Sequence, residues 1–346
     1  VVGPRRTGKS SLLEAVAWKL DGEYRQFVPV TLNCVGMPAR VVFAEALVDN
    51  TIQAYMGRTG DHRYWERIKG TLSRKKNEVI ESVSEVSFHE FAVRLNARKT
   101  DEDSLIIQGL ESIEKLGNER NCHFVIMMHE FSDLLEWGNK TLGRIVATIQ
   151  SQKRVSYVLT GSAMTVLRDL QHNRKSPFYP GFVEVDVDRI QAKSAEAYMK
   201  KAFEESGLQV NEASLRRLVS YCDGNFGYLN RMGFELFMKA KSSGTVTQNL
   251  VDQAYLDMVK SLNMEFELQY ARFHSLERLV LFSLRSGGKE VQEIRRETRA
   301  SERKVFFALS RLIAYEAIEK VADGRYRLSD SVFANWLQKR YGSQLR

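Results

Sequence analysis

The chain has 346 residues, with 51 Lys and Arg against 43 Asp and Glu for a formal net charge of +8, and is long enough for about two to three domains, each with its own core. Its 43% hydrophobic and 27% charged content is that of a globular protein, and no apolar run approaches the roughly 20 residues of a membrane helix. The widely spaced cysteines Cys34, Cys122 and Cys222 argue against a disulfide framework or a zinc site, while the basic balance favours an acidic partner such as nucleic acid.

The first segment, VVGPRRTGKSSLL, fits G-x-x-x-x-G-K-[ST] with Gly3, Gly8, Lys9 and Ser10 at the fixed positions. Glycines let main-chain N–H groups turn inward around phosphates, the lysine reaches the terminal phosphates, and the next hydroxyl ligates magnesium. Pro4, Arg5, Arg6, Thr7 and Ser11 complete the candidate phosphate-contact set. Such a loop follows a strand and opens a helix whose N-terminus faces the anion. Leu12, Leu13, Val16, Ala17 and Leu20 predict that helix by their spacing. Val1 and Val2 read as the end of a buried strand, from which we expect an N-terminally incomplete chain.

FVPVTLNC (Phe27 to Cys34) is uncharged and β-rich, a buried strand, and Pro38 opens a helix to about Tyr55. The cations Arg58, Arg63, Arg67, Lys69, Arg74, Lys75 and Lys76 then interleave with Tyr64 and Trp65. That pattern suits either a nucleic-acid contact or a solvated helix with its aromatics turned inward. Alternation in EVSFHEFAVRL predicts one or two strands, and DEDSLIIQGLESIEKLG a helix stopped at Gly117. CHFVIMMHEF, RVSYVLTGS and FVEVDV read as further strands. Strands alternating with helices imply a mainly parallel sheet, with ligands at the carboxyl ends of its strands. Three of those ends carry chemistry: Gly3 to Ser10, His129 with Glu130, and Thr160 to Ser162. HEFSD is not a zinc-protease motif, because its fifth residue is Asp133 and His129 ends a strand, whereas paired histidine ligands need a helical turn between them.

From 192 to 262 the pattern needs helices only. The remainder reads helix, helix, helix, a hairpin turning at Asp323-Gly324, and a closing helix, the order of a winged helix. Its candidate recognition helix buries Val305, Leu309, Leu312 and Ile313 and leaves Arg303, Lys304 and Arg311 outward, with Arg325 in the wing. These are DNA-contact candidates, although such modules also dock proteins.

GPRRTGKSSLL, the apolar strand ending at Glu130, VLTGSAMTVL, SPFYPG, the turn DGNFGYL and the terminal YRLSDSVFANWL resemble, in that order, the archaeal-type P-loop ATPases of the STAND/AAA+ group, relatives of the origin-recognition initiators. The resemblance implies an α/β P-loop NTPase core with a mainly parallel sheet at 1–191, a helical lid at 192–262 and a C-terminal winged-helix domain at 263–346. It also implies ATP with Mg2+, a cytoplasmic location, and double-stranded DNA or a protein as partner of the winged helix. Glu130 becomes the base that aligns water, Lys9 the catalytic phosphate contact, Ser10 the magnesium ligand, and Thr160, Ser162 and Arg231 the sensors, with helix capping by Ser162 and a surface salt bridge at Arg231 as the alternatives. The chain departs from that pattern where the family reads Asp-Glu and this sequence reads His129-Glu130. A neutral imidazole lacks the charge, so His129 touches the ion at most through its water shell and turnover is weakened. The Tyr179-Pro180-Gly181-Phe182 segment lacks the family's arginine, and Phe226 stands where a proline is usual. The expected function is a nucleotide-driven conformational switch. The alternative is a nucleotide-gated DNA-binding or scaffold protein with little or no hydrolysis.

Overall fold

The computed structural model describes residues 1–37, 39–60, 84, 87–88, 90–91, 101–161, 167, 172–174, 176–179, 181–321 and 323–341. They form two compact units: the first comprises Val1–Val2 and the described residues within 9–161 and 167–186, the second Gly3–Gly8 and the described residues within 187–341.

The first unit runs α1 (Lys9–Glu23), β1 (Phe27–Asn33), α2 (Arg40–Thr59), α3 (Glu102–Glu119), β2 (His123–His129), a 3-10 turn (Phe131–Trp137), α4 (Asn139–Ser151) and β3 (Val155–Leu159). The three strands are parallel with β2 in the middle, Val30 opposite Ile126 and Met127 opposite Val158. Parallel strands need long crossovers, which the helices supply. Phe124 to Met128 are all buried because both sheet faces are covered. Side-chain alternation sorts them: Phe124, Ile126 and Met128 share a core with Phe43, Leu47, Leu110 and Ile113 of α2 and α3, while Val125 and Met127 join Leu13 of α1. Val2 extends the sheet by single parallel bridges to Gly161 and Asp186.

Several expectations are corrected here. FVEVDV is not a strand: its pairing is the bridge at Asp186, and Val183 and Val185 are 89% and 47% exposed while Phe182 packs against the core. Within EVSFHEFAVRL, expected to form one or two strands, the described residues Ser87, Phe88, Glu90 and Phe91 are helical, as is Ser84 before it; the rest of the segment lies outside the described residues. Ser84, Ser87, Phe88 and Phe91 are the buried ones, at intervals of three and four that suit a helix face. Gly117 does not stop α3, which continues to Glu119. A Cβ at Gly117 would lie 2.8 Å from Arg154 Cβ, so its role is close approach. Of the basic run, Arg58 is tied to the Asp21 carboxylate and to the carbonyls of Asp21, Tyr24 and Arg25, which makes it a structural cation. Arg63, Tyr64, Trp65, Arg67, Lys69, Arg74, Lys75 and Lys76 lie outside the described residues, as does Pro38.

The second unit runs α5 (Ala192–Glu205), β4 (Gln209–Val210), α6 (Glu212–Cys222), α7 (Phe226–Ala240), β5 (Thr245–Val246), α8 (Gln248–Ser261) and α9 (Asn263–Ala271), then α10 (Ser275–Ser283), a 3-10 turn (Leu284–Ser286), α11 (Val291–Thr298), α12 (Glu302–Ala314), β6 (Ile318–Lys320), β7 (Tyr326–Leu328) and α13 (Ser331–Tyr341). Asn211, Asn225 and Thr247 cap α6, α7 and α8 by accepting from the amides of Ser214, Tyr228 and Leu250. The stretch expected to be wholly helical contains a two-residue parallel pair, β4 with β5. Gly207 and Gly244, both at positive φ, turn the chain after α5 and α7, and the Gln209 amide donates to the Gly244 carbonyl at 2.8 Å. The hairpin forms as expected, β6 antiparallel to β7 with Gly324 at φ 84°, and Lys289 adds a bridge to Tyr326. One continuous core holds Leu218, Met232, Met258, Phe266, Leu281, Leu309 and Phe333. Arg189 staples this unit, reaching Asp223 at 2.7 Å, Glu319 at 3.2 Å and the Ser329 carbonyl at 2.7 Å.

All three cysteines are free and buried, and burial pushes the Cys34 and Cys222 thiols up to about 12. Among the described residues no helix is long and apolar enough to cross a membrane.

Candidate nucleotide site

The loop Gly3–Gly8 belongs to the second unit. Gly8 adopts φ 99° and Arg6 φ 63°, so the backbone turns twice into the left-handed region within three residues. Neither glycine of the motif has room for a side chain: a Cβ at Gly3 would lie 2.0 Å from the Val187 carbonyl oxygen, and one at Gly8 3.0 Å from the Phe226 ring. The Thr7 hydroxyl donates to the Pro4 carbonyl at 2.9 Å and closes the turn. The start of α7 is bonded to the loop, with the Asn225 amide donating to Arg5 O at 3.2 Å and the Gly227 N–H donating to Arg6 O at 2.8 Å.

Arg6, assigned to phosphate on sequence, is engaged within the protein. Its guanidinium donates to the Tyr228 hydroxyl at 2.9 Å, lies 5.2 Å from that ring's centre, and pairs with Asp330 at 3.4 Å and with Glu265. Those partners were missed by sequence reading, and no local pattern marks them: they are 222, 324 and 259 residues away. Arg5 is exposed.

In the first unit, Lys9 is buried and opens α1, with Ser10 and Ser11 exposed beside it. The first turn of α1 carries no acidic residue, so the positive end of its dipole is not neutralised from within the helix. His129 ends β2 and Glu130 follows it, as expected. Glu130 has φ 51°, a left-handed conformation that costs a non-glycine residue of order 1 kcal/mol or more and concentrates at functional sites. The main chain around it is fixed: the Cys34 amide donates to His129 O at 2.9 Å, Phe131 N to Thr160 O at 2.8 Å, and Thr160 N to Met128 O at 2.9 Å. The strand ends carrying Glu130 and Thr160 are thereby held together. Burial lowers the His129 imidazole below its ordinary value, opposed by the charges of Glu14, one turn beyond Ser10 on α1, and of Glu130. Its Nδ1 is buried and has no hydrogen-bond partner among the described residues.

In the first unit, a buried lysine at a helix N-terminus that carries no acidic residue suits a phosphate. Among the described residues no group of three or more His, Cys, Asp or Glu could hold a metal.

The remaining candidates are dispersed. Ser162 lies outside the described residues. Arg231 is exposed on α7 and donates to the Ser261 hydroxyl at 2.8 Å. Arg303, Lys304 and Arg325 are exposed, whereas Arg311 turns to Glu277 at 3.1 Å.

No family profile and no curated protein matches the chain. Solved structures do. A Walker-type ATPase of Pyrococcus abyssi is similar with a TM-score of 0.71 and 18% identity, over 97% of this chain and 89% of that one. The Aeropyrum pernix ORC2 protein in ADPNP-ADP complexes gives 0.63 and 11% over 99% and 88%, and its ADP form 0.56 and 12% over 98% and 87%. At such identities the likeness bears on architecture, and it agrees with the parallel sheet and the loop-to-helix opening described above. The chain has the α/β P-loop NTPase fold.

Proposed function

We propose that this protein binds ATP with Mg2+ on Gly3–Ser11 and works as a nucleotide-driven conformational switch. The reading is carried by one observation: the glycine-lysine-serine loop runs straight into the unneutralised N-terminus of α1, in a P-loop NTPase fold. Lys9 and the loop amides hold the phosphates, and Ser10 supplies a protein oxygen to the ion. Glu130 takes the proton of an attacking water, with Thr160 and Ser162 at the neighbouring strand end and Arg231 as a further phosphate sensor. The switch is arranged as a core at 1–191, a lid at 192–262 and a winged-helix output module at 263–346, in a protein of the AAA+/STAND type acting in the cytoplasm. Archaeal neighbours whose own descriptions name ATPase activity or bound ADPNP and ADP support the nucleotide assignment.

A second reading, nucleotide binding with little or no hydrolysis in a gated scaffold or DNA-binding protein, is favoured by His129, which puts a neutral side chain where negative charge is wanted. Calorimetric titration with ATP and Mg2+, followed by measurement of phosphate release, separates the two. Tight binding with release supports the switch driven by hydrolysis; tight binding without release supports the scaffold. No binding overturns both.

A further inference from the structure

The helix read as a DNA-recognition helix presents an unusual outer face. Phe306 and Phe307 of α12 are 46% and 67% exposed. With His274, Leu276, Glu277 and Arg311 they line a groove of about 710 Å³ between α12 and the start of α10. The charges on its floor are already matched, because Glu277 pairs with Arg311 at 3.1 Å and accepts from the His274 amide at 2.8 Å. The rim is different: Arg303 and Lys304 are exposed and make no ion pair among the described residues. The acidic residue of that first turn, Glu302, is held by Arg295 at 2.8 Å.

Two adjacent exposed rings gain little from DNA phosphates and would be desolvated against a polar groove wall. They gain most from an apolar surface, with two unmatched cations beside them asking for carboxylates. We propose that this groove docks a protein helix that is amphipathic and acidic, with apolar residues at i, i+3 or i+4, and i+7 entering between Phe306, Phe307 and Leu276, and with Asp or Glu flanking them to meet Arg303 and Lys304. The groove recognises an acidic protein helix, not duplex DNA, and this holds whether or not nucleotide is hydrolysed.

The test is selection from a displayed library of helix-forming peptides on the whole chain, followed by affinity measurement of the enriched peptides and of a short duplex DNA. Enriched peptides are expected to be net acidic with helical apolar spacing. Phe307→Ser is expected to weaken them by about tenfold, and the Arg303→Glu, Lys304→Glu double variant by a similar factor that shrinks as salt rises. These side chains are exposed, so circular dichroism of the variants serves as the folding control. Basic or neutral winners, affinities indifferent to Phe307→Ser, or duplex DNA lost to the double variant while no peptide is enriched would each overturn the proposal. So would self-association of the chain that Phe307→Ser abolishes.

Discussion

The Arg6 guanidinium of the glycine-rich loop donates to the Tyr228 hydroxyl on α7, and that hydroxyl in turn donates to Asp330. Asp330 also accepts from the amides of Val332 and Phe333 at 2.9 Å each, so the same carboxylate caps α13. Burial raises the Asp330 carboxyl above its ordinary range, with Tyr228, those amides and Arg6 pulling the other way. Arg6→Ala takes away the cation and leaves the carboxylate under-compensated, a change expected to cost about 1–3 kcal/mol. Tyr228→Phe is expected to cost about 1 kcal/mol. Urea unfolding of both variants checks this, and an unchanged midpoint for Arg6→Ala would mean that the contact contributes nothing.

Lys9→Ala is expected to weaken ATP by at least about tenfold, or 1.4 kcal/mol, by removing the one ammonium group at the start of α1. Ser10→Ala should act differently, lowering affinity in the presence of Mg2+ and hardly at all when the metal is chelated. Titration of a fluorescent ATP analogue with and without chelator reads both. Equal losses under the two conditions would remove Ser10 from the magnesium assignment.

The residues after β2 can be separated by charge. Glu130→Gln is expected to leave ATP affinity within about twofold while lowering phosphate release by about a hundredfold or more, as removal of a general base does. His129→Asp restores the carboxylate and is expected to tighten Mg2+ and raise turnover. Single-turnover phosphate release from the two variants, beside the wild type, is the measurement. Faster release by Glu130→Gln would exclude the base assignment.

Acid sensitivity follows from His129. Burial holds its imidazole below the ordinary value, so between that lowered value and about 6.5 the unfolded chain binds more protons than the fold. Stability therefore rises with pH across that window, and the contribution is lost as pH falls through about 6.5 toward the folded value. Urea unfolding of wild type and His129→Gln at about pH 7.5 and about pH 5.5 isolates it, with a smaller pH-dependent drop expected in the variant. An equal drop in both would place the acid sensitivity elsewhere.

Local physics made the sheet readable. β1, β2 and β3 are uncharged runs, and a strand covered on both faces admits no charge in its middle. The loop was equally plain from its spacing, although the atoms that crowd Gly3 and Gly8, the Val187 carbonyl oxygen and the Phe226 ring, are remote in sequence. Reading failed where two periods compete over a short stretch. EVSFHEFAVRL reads as alternating, yet its described residues Ser87, Phe88 and Phe91 are buried and, with Ser84 before them, fall at helical intervals. FVEVDV alternates too, but Val183 remains 89% exposed because a single bridge gives it no sheet face to cover. Arg6 was illegible for another reason. Its guanidinium can serve phosphate or carboxylate alike, and only tertiary folding brings Tyr228 and Asp330 to it. Phe306 and Phe307 were likewise visible as residues, whereas their exposure depends on how α12 is rotated, which Val305, Ala308, Leu309 and Leu312 decide by filling the core.

The buried thiols give each half of the molecule an internal stopwatch. Cys34 and Cys122 flank strands of the first unit and Cys222 ends α6 in the second, and none is ready to ionise while covered. A thiolate-seeking reagent must wait for the surroundings to breathe, so its labelling tempo at each cysteine clocks the opening of that half alone. If ATP steadies one half more than the other, the two clocks will drift apart.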